Sequence, residues 1–201
     1  VEYPADQFSA CENRFFVRIG ESTFSEQGIR ISVQKDGISL RGSVSFGPTL
    51  PIRYDIMGPF RWLPNMECSH SVISMSHRLD GCLILNGEKL DCSGGLGYIE
   101  SDRGRSFPEN YLWTQCCWEN SSIMLSIASI PALRIQFTGC ICAIVHEGKE
   151  YRIATYKGAR VVQWSKDYAL VQQGKYRLEV QLLKQSAQPL RAPADGDMCR
   201  A

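Results

Sequence analysis

The chain has 201 residues, of which 44% are hydrophobic and 21% charged, with 22 Lys and Arg against 21 Asp and Glu for a formal charge of +1. These are globular values, since disordered chains carry fewer apolar residues and a larger charge imbalance. A nucleic-acid partner is excluded on the same ground, because it requires a clustered basic excess. No apolar run reaches the ~20 residues of a membrane-spanning helix, and the longest, "SIMLSIASIPALRI", is interrupted by Pro131. No integral membrane segment is therefore expected, and peripheral contact is the one membrane association the composition allows.

Alternation of apolar and polar residues dominates from the start. In "GIRISVQKDGISLRGSVSF", Ile29, Ile31 and Val33 share one face; after Asp36-Gly37, Ile38, Leu40, Val44 and Phe46 form a second apolar set. Asp-Gly between alternating runs is a hairpin signal, because a tight turn needs positive φ. Pro48, Pro51, Pro59 and Pro64 then fall within seventeen residues. Proline cannot donate to a sheet ladder, so this stretch reads as a crossing between an N-terminal sheet remnant, 1–58, and a more complete barrel, 59–201. Further hairpin turns are expected at Asn86-Gly87, Glu147-Gly148 and Gly174, and a short helical turn near Pro108-Glu109-Asn110. The fold class is all-β, an antiparallel meander closed into a barrel or sandwich.

Nine cysteines are present. Cys116 and Cys117 are adjacent, and the others stand singly in apolar stretches such as "FTGCICAIV". They read as small buried hydrophobes rather than a disulfide framework, which suits a reducing cytoplasm. The chain opens on Val1 and stops abruptly, so it reads as a segment of a longer protein.

"GGLGYIE" lacks the third glycine and the strand–helix unit of a dinucleotide fingerprint, and "GRSFP" lacks the second glycine of a nucleophile elbow. Cys68 and His70 are two apart and point the same way on a strand, but His77 has the opposite parity. No metal site is assigned, and no cofactor. A histidine on an apolar strand face, such as His70 or His77, is more often a core residue than a catalyst.

"GLGYIESDRGRSFPENYLWTQCCW" is the most unusual stretch. On a strand, Tyr98, Glu100 and Asp102 share a face, and on the next strand so do Tyr111, Trp113, Gln115 and Cys117. Two acids among aromatics are costly unless paired or neutralised. Arg103 and Arg105 are the partners expected to lock the corner, and Glu100, near Tyr98 and Trp113, is the expected functional carboxyl in a dry cavity.

The runs "MGPFRWLPNMECSH", "SMSHRLDGCLILNGEKLD", "GYIESDRGRSFPENYLWTQC" and "LRAPADGDMCR" resemble the tocopherol cyclase family, including its bacterial members, over residues 57–200. Arg103 stands where the family motif has tryptophan; its cation favours an ionised Asp102 and shifts the acid to Glu100. The resemblance implies a pair of lipocalin-like barrels, similar to carotenoid hydratases. It also implies cyclisation of a prenylated quinol, or a similar amphipathic alkene, by alkene protonation and phenol attack. The catalytic set would be Glu100, Asp102, His70 and His77, with Trp62, Glu67, Tyr98, Trp113 and Gln115 at the substrate. The alternative is a non-catalytic lipocalin-like binder of a hydrophobic small molecule.

Overall fold

The computed structural model describes residues 1–62, 68–104, 108, 110–132, 135–185, 189–191 and 197–199. It is antiparallel β throughout, with three short 3-10 turns at Ala5–Gln7, Gly58–Trp62 and Thr155–Lys157 that periodicity alone did not reveal. Of the helical turn expected near Pro108-Glu109-Asn110, Glu109 lies outside the described residues, and Pro108 and Asn110 are not helical.

The expected hairpins form where the turn residues stand. Asp36 and Gly37 take φ 52° and 79°, Asn86 and Gly87 51° and 91°, and Glu147 and Gly148 48° and 74°; Gly174 takes 55°. Positive φ at both central residues gives a turn whose twist matches that of the strands it joins.

The chain compacts into two units. One comprises Val1–Pro51 and Ile73–Ile99, the other Ile52–Val72 and Glu100–Ala201. They are not the consecutive blocks expected from the proline cluster. The physical reason is that two long strands, β6 (Cys68–Leu85) and β8 (Leu96–Gly104), each contribute residues to both.

The first unit is a meander. β1 (Phe8–Ala10), β2 (Phe16–Ile19), β3 (Ser22–Ser25), β4 (Gly28–Lys35) and β5 (Ile38–Phe46) pair in sequence order. β5 then pairs with β6 from Phe46↔Leu79 to Leu40↔Leu85, and β6 with β7 (Glu88–Asp91). β8 also pairs with β6.

The second unit holds β9 (Tyr111–Trp118), β10 (Ser121–Ala132), β11 (Ile135–His146) and β12 (Lys149–Ala154) in one sheet. β13 (Arg160–Trp164), β14 (Tyr168–Gln173) and β15 (Tyr176–Gln181) form a second sheet, and β16 (Pro189–Arg191) with β17 (Asp197–Cys199) a two-stranded one. Among the described residues no pairing closes these sheets into a barrel.

The second unit's core follows from alternation. Leu125 and Ile127 of β10, Cys140 and Cys142 of β11, Ile153 of β12 and Ala169 and Val171 of β14 form one buried cluster with Ala159. β10 is buried on both faces, with Ser122, Met124 and Ser126 enclosed as well, which explains its near-continuous small and apolar run. On the Ala143 side, Arg152 lies across from Ala143 in the β11–β12 register. It donates to the backbone carbonyls of Asp55 at 3.2 Å and Tyr54 at 3.1 Å, and to Glu150 at 2.8 Å. The Tyr156 hydroxyl donates to the Ile56 carbonyl at 3.0 Å. The proline-flanked segment is thus pinned to β12 and the 3-10 turn that follows it by hydrogen bonds to its backbone carbonyls.

Cysteine placement is mixed. Cys68, Cys140 and Cys142 are buried as expected, and burial raises the thiol pKa of Cys140 and Cys142. Cys11 and Cys116 are exposed, contrary to the reading of these thiols as core residues. Among the described residues no helix is long and apolar enough to cross a membrane.

Leu125→Ala removes a fully buried side chain from the centre of the second unit's cluster. It is expected to lower unfolding free energy by about 2–5 kcal/mol, read by urea denaturation; a loss below about 1 kcal/mol would show that the cluster is not close-packed.

Candidate active site

Strand pleating sets the site. Residues two apart on a strand project from the same face, so β6 presents Cys68 and His70 together, and β8 presents Glu100 and Asp102. The His70 Nδ1 lies 2.6 Å from Glu100 Oε1 and 2.8 Å from Asp102 Oδ1. One ring nitrogen therefore serves two carboxylates. The Trp113 indole Nε1, from β9, donates to the other Glu100 oxygen at 3.1 Å. The Glu100 side chain is only 7% exposed, His70 16% and Asp102 34%, so the cluster grades from a shielded carboxyl to a wetter one.

Burial alone would lower the pKa of His70 by disfavouring its cation. The hydrogen bonds and negative charges of Asp102 and Glu100 outweigh that, and hold it up at about 9. His70 is thus an imidazolium at neutral pH. Burial likewise works against an ionised Asp102, but the bond to His70 and its charge win and lower the Asp102 pKa. The buried Cys68 thiol is pushed up to about 11 by its burial and by the charges of Asp102 and Glu100.

The other candidate residues lie as follows. His77 belongs to the first unit and is buried there. Its Nδ1 is 3.0 Å from the Ser74 hydroxyl, its ring packs tilted against Phe46 with centroids 4.7 Å apart, and burial lowers its pKa. Gly97 lies against its Nε2, where a Cβ would come within 2.3 Å. His77 is a satisfied core histidine. Tyr98 is half-buried on the β8 stretch assigned to the first unit. Gln115 donates to Cys117 Sγ at 3.0 Å. Trp62 is 79% exposed, with the Arg61 guanidinium over its ring at 5.0 Å. Glu67 and Arg105 lie outside the described residues.

Arg103 is exposed, and neither ion pair of the cluster involves it. The expectation that it holds Asp102 ionised gives way to His70, which does so from β6. No local signal in the sequence indicates that partnership, because it depends on which strands pair. Sequence reading also passed over Arg152, a buried cation on β12.

Comparison with models of protein families, with curated protein sequences and with solved structures yields no match.

The folded-state pKa of His70 lies above its ordinary 6.5. The stability it contributes is therefore fully present below pH 6.5 and is lost as pH rises through about 9. The shift is worth on the order of 3 kcal/mol at about 1.4 kcal/mol per unit. Urea denaturation of the metal-free protein across that window should show this loss, and His70→Gln should abolish the slope. An unchanged slope in the variant would remove His70 from the linkage. Asp102 has the opposite sign, and its contribution is lost only as pH falls below its ordinary 3.8.

Proposed function

We propose that the chain is a tocopherol cyclase-type enzyme, an intramolecular lyase that protonates the alkene of a prenylated quinol and closes a ring by phenol attack. The observation that carries the reading is the placement of one ring nitrogen, His70 Nδ1, between Glu100 and Asp102, with the Trp113 indole on the far Glu100 oxygen. Alkene protonation needs an acid in a dry setting, and a π-face near the tertiary cation that results.

At rest the positive charge sits on His70, against both acids. An apolar substrate packed against it expels water, and a drier setting favours neutral partners over an ion pair. The proton passes from His70 Nδ1 to Glu100, across 2.6 Å. Glu100 then delivers it to the alkene carbon, forming a C–H bond and a tertiary carbocation that the Trp113 face stabilises. The phenol oxygen attacks the cation, and Asp102, the more exposed carboxylate, takes the phenol proton. Asp102 returns it to His70 Nδ1 across 2.8 Å. No net proton or electron is consumed. One spatial element of the reading is the lipocalin-like barrel, for which the sequential antiparallel order of β1 to β7 and of β9 to β12 gives support.

Turnover of a prenylated hydroquinone, followed by chromatography and mass spectrometry in D2O, tests the reading. The wild type is expected to form the chroman with one deuterium on the former alkene CH. Glu100→Gln is expected to lower kcat by about 10²–10⁴ with an unchanged circular dichroism spectrum. A variant as fast as the wild type removes Glu100 from the chemistry. Wild-type protein that binds the hydroquinone and leaves it unchanged indicates instead a binder of hydrophobic molecules.

A further inference from the structure

Two pairs of same-face residues meet in this cluster, Cys68 with His70 on β6 and Glu100 with Asp102 on β8. Donor atoms of Cys68, His70 and Asp102 all lie within 4.8 Å of one another. Glu100 Oε1 adds a fourth donor, 2.6 Å from His70 Nδ1. We propose that Cys68 Sγ, His70 Nδ1, the Asp102 carboxylate and the Glu100 carboxylate form a binding site for a divalent transition metal ion of the zinc type.

The donor chemistry selects the ion class. A thiolate and an imidazole beside carboxylate oxygens suit Zn²⁺ and its neighbours in the first transition row, whereas Ca²⁺ and Mg²⁺ take oxygen donors. Tetrahedral zinc, with Zn–N and Zn–O near 2.0–2.1 Å and Zn–S near 2.3 Å, sets its ligand atoms roughly 3.3–3.6 Å apart. The cluster is tighter than this between His70 and the carboxylates, and the Cys68, His70 and Asp102 donors all lie within 4.8 Å of one another. Side-chain torsions suffice to bring the Cys68, His70 and Asp102 donors onto one ion, and rotation of Glu100 on the His70 side adds the fourth. The Trp113 indole on the far Glu100 oxygen supplies the kind of outer-shell hydrogen bond that orients a ligating carboxylate. His77 plays no part in it. The third and fourth donors come from β8, not from the histidine that follows on β6.

A cation at this position takes the place of the proton at His70 Nδ1, since that nitrogen has one lone pair to give. The metal-loaded protein cannot then pass that proton to Glu100, so Zn²⁺ acts as an inhibitor of the turnover proposed above. That consequence rests on the proposed function; the site itself does not.

The test uses the full chain, stripped with EDTA, in a Cys11→Ser, Cys116→Ser background that removes the two exposed thiols. Titration with Co²⁺ is expected to give one equivalent of four-coordinate cobalt, with intense visible bands and a thiolate-to-cobalt band in the near ultraviolet, both abolished by one equivalent of Zn²⁺. Cys68→Ser should lose the thiolate band and weaken Zn²⁺ binding by at least about tenfold. Asp102→Asn should weaken binding while keeping the band, and circular dichroism reports that each variant folds. A wild-type protein with only the pale spectrum of hydrated cobalt, or a thiolate band that survives in Cys68→Ser, overturns the proposal. The spectrum needs no turnover, so a failed cyclisation assay leaves this result standing.

Discussion

A carboxylate withdrawn from water beside a second carboxylate requires a positive partner, and in this protein the His70 imidazolium meets that requirement for Glu100 and Asp102 together. Its Nδ1 is within 2.8 Å of both. Removing it would leave two like charges on one strand face, the nearer of them 7% exposed, a situation that disfavours ionisation strongly. The first residues of β6 and the last of β8 are therefore coupled by charge. Trp113 extends the coupling to β9 through the second Glu100 oxygen.

Much of this was legible in the sequence, and the boundary of legibility is physical. Turn chemistry is local, so Asp36-Gly37, Asn86-Gly87 and Glu147-Gly148 announce hairpins that form with the expected positive φ. Strand parity is local too, and it places Glu100 with Asp102 and Cys68 with His70. The meeting of those two pairs is not local. It depends on β8 pairing with β6, a choice that neither strand's pattern reveals. Arginines adjacent in sequence to the acids were the natural expectation, yet exposed Arg103 serves neither ion pair and a histidine thirty residues upstream serves both. His70 and His77 carried the same core-residue reading because each sits on an alternating apolar run. Their surroundings separate them. His77 faces Ser74, Phe46 and Gly97, where burial keeps it neutral, and His70 faces two acids.

The second buried cation, Arg152, shows what a purely structural charge looks like in the same chain. Its guanidinium spends its donors on Glu150, Tyr156 and two backbone carbonyls and stacks over Tyr54 at 4.2 Å. Its Nε is buried without a partner. A guanidinium is always protonated, so this network fixes the proline-flanked segment to β12 without any proton to give up. The cost of one unsatisfied donor is offset by four satisfied contacts.

His70 differs in kind. An arginine or lysine at its position could neutralise both acids, but arginine holds its proton at every accessible pH and neither side chain presents a neutral ring nitrogen near neutrality. Imidazole alone among side chains compensates the charge at rest, yields the proton when its surroundings become apolar, and offers a lone pair once the proton has gone. A histidine between two carboxylates, one shielded and one open, is thus the side chain on which the proposed proton delivery and the proposed metal capture would compete for one nitrogen. A strand pairing that served only to hold the corner together would have been met as well by Arg103, next to Asp102 in sequence, and that residue is exposed.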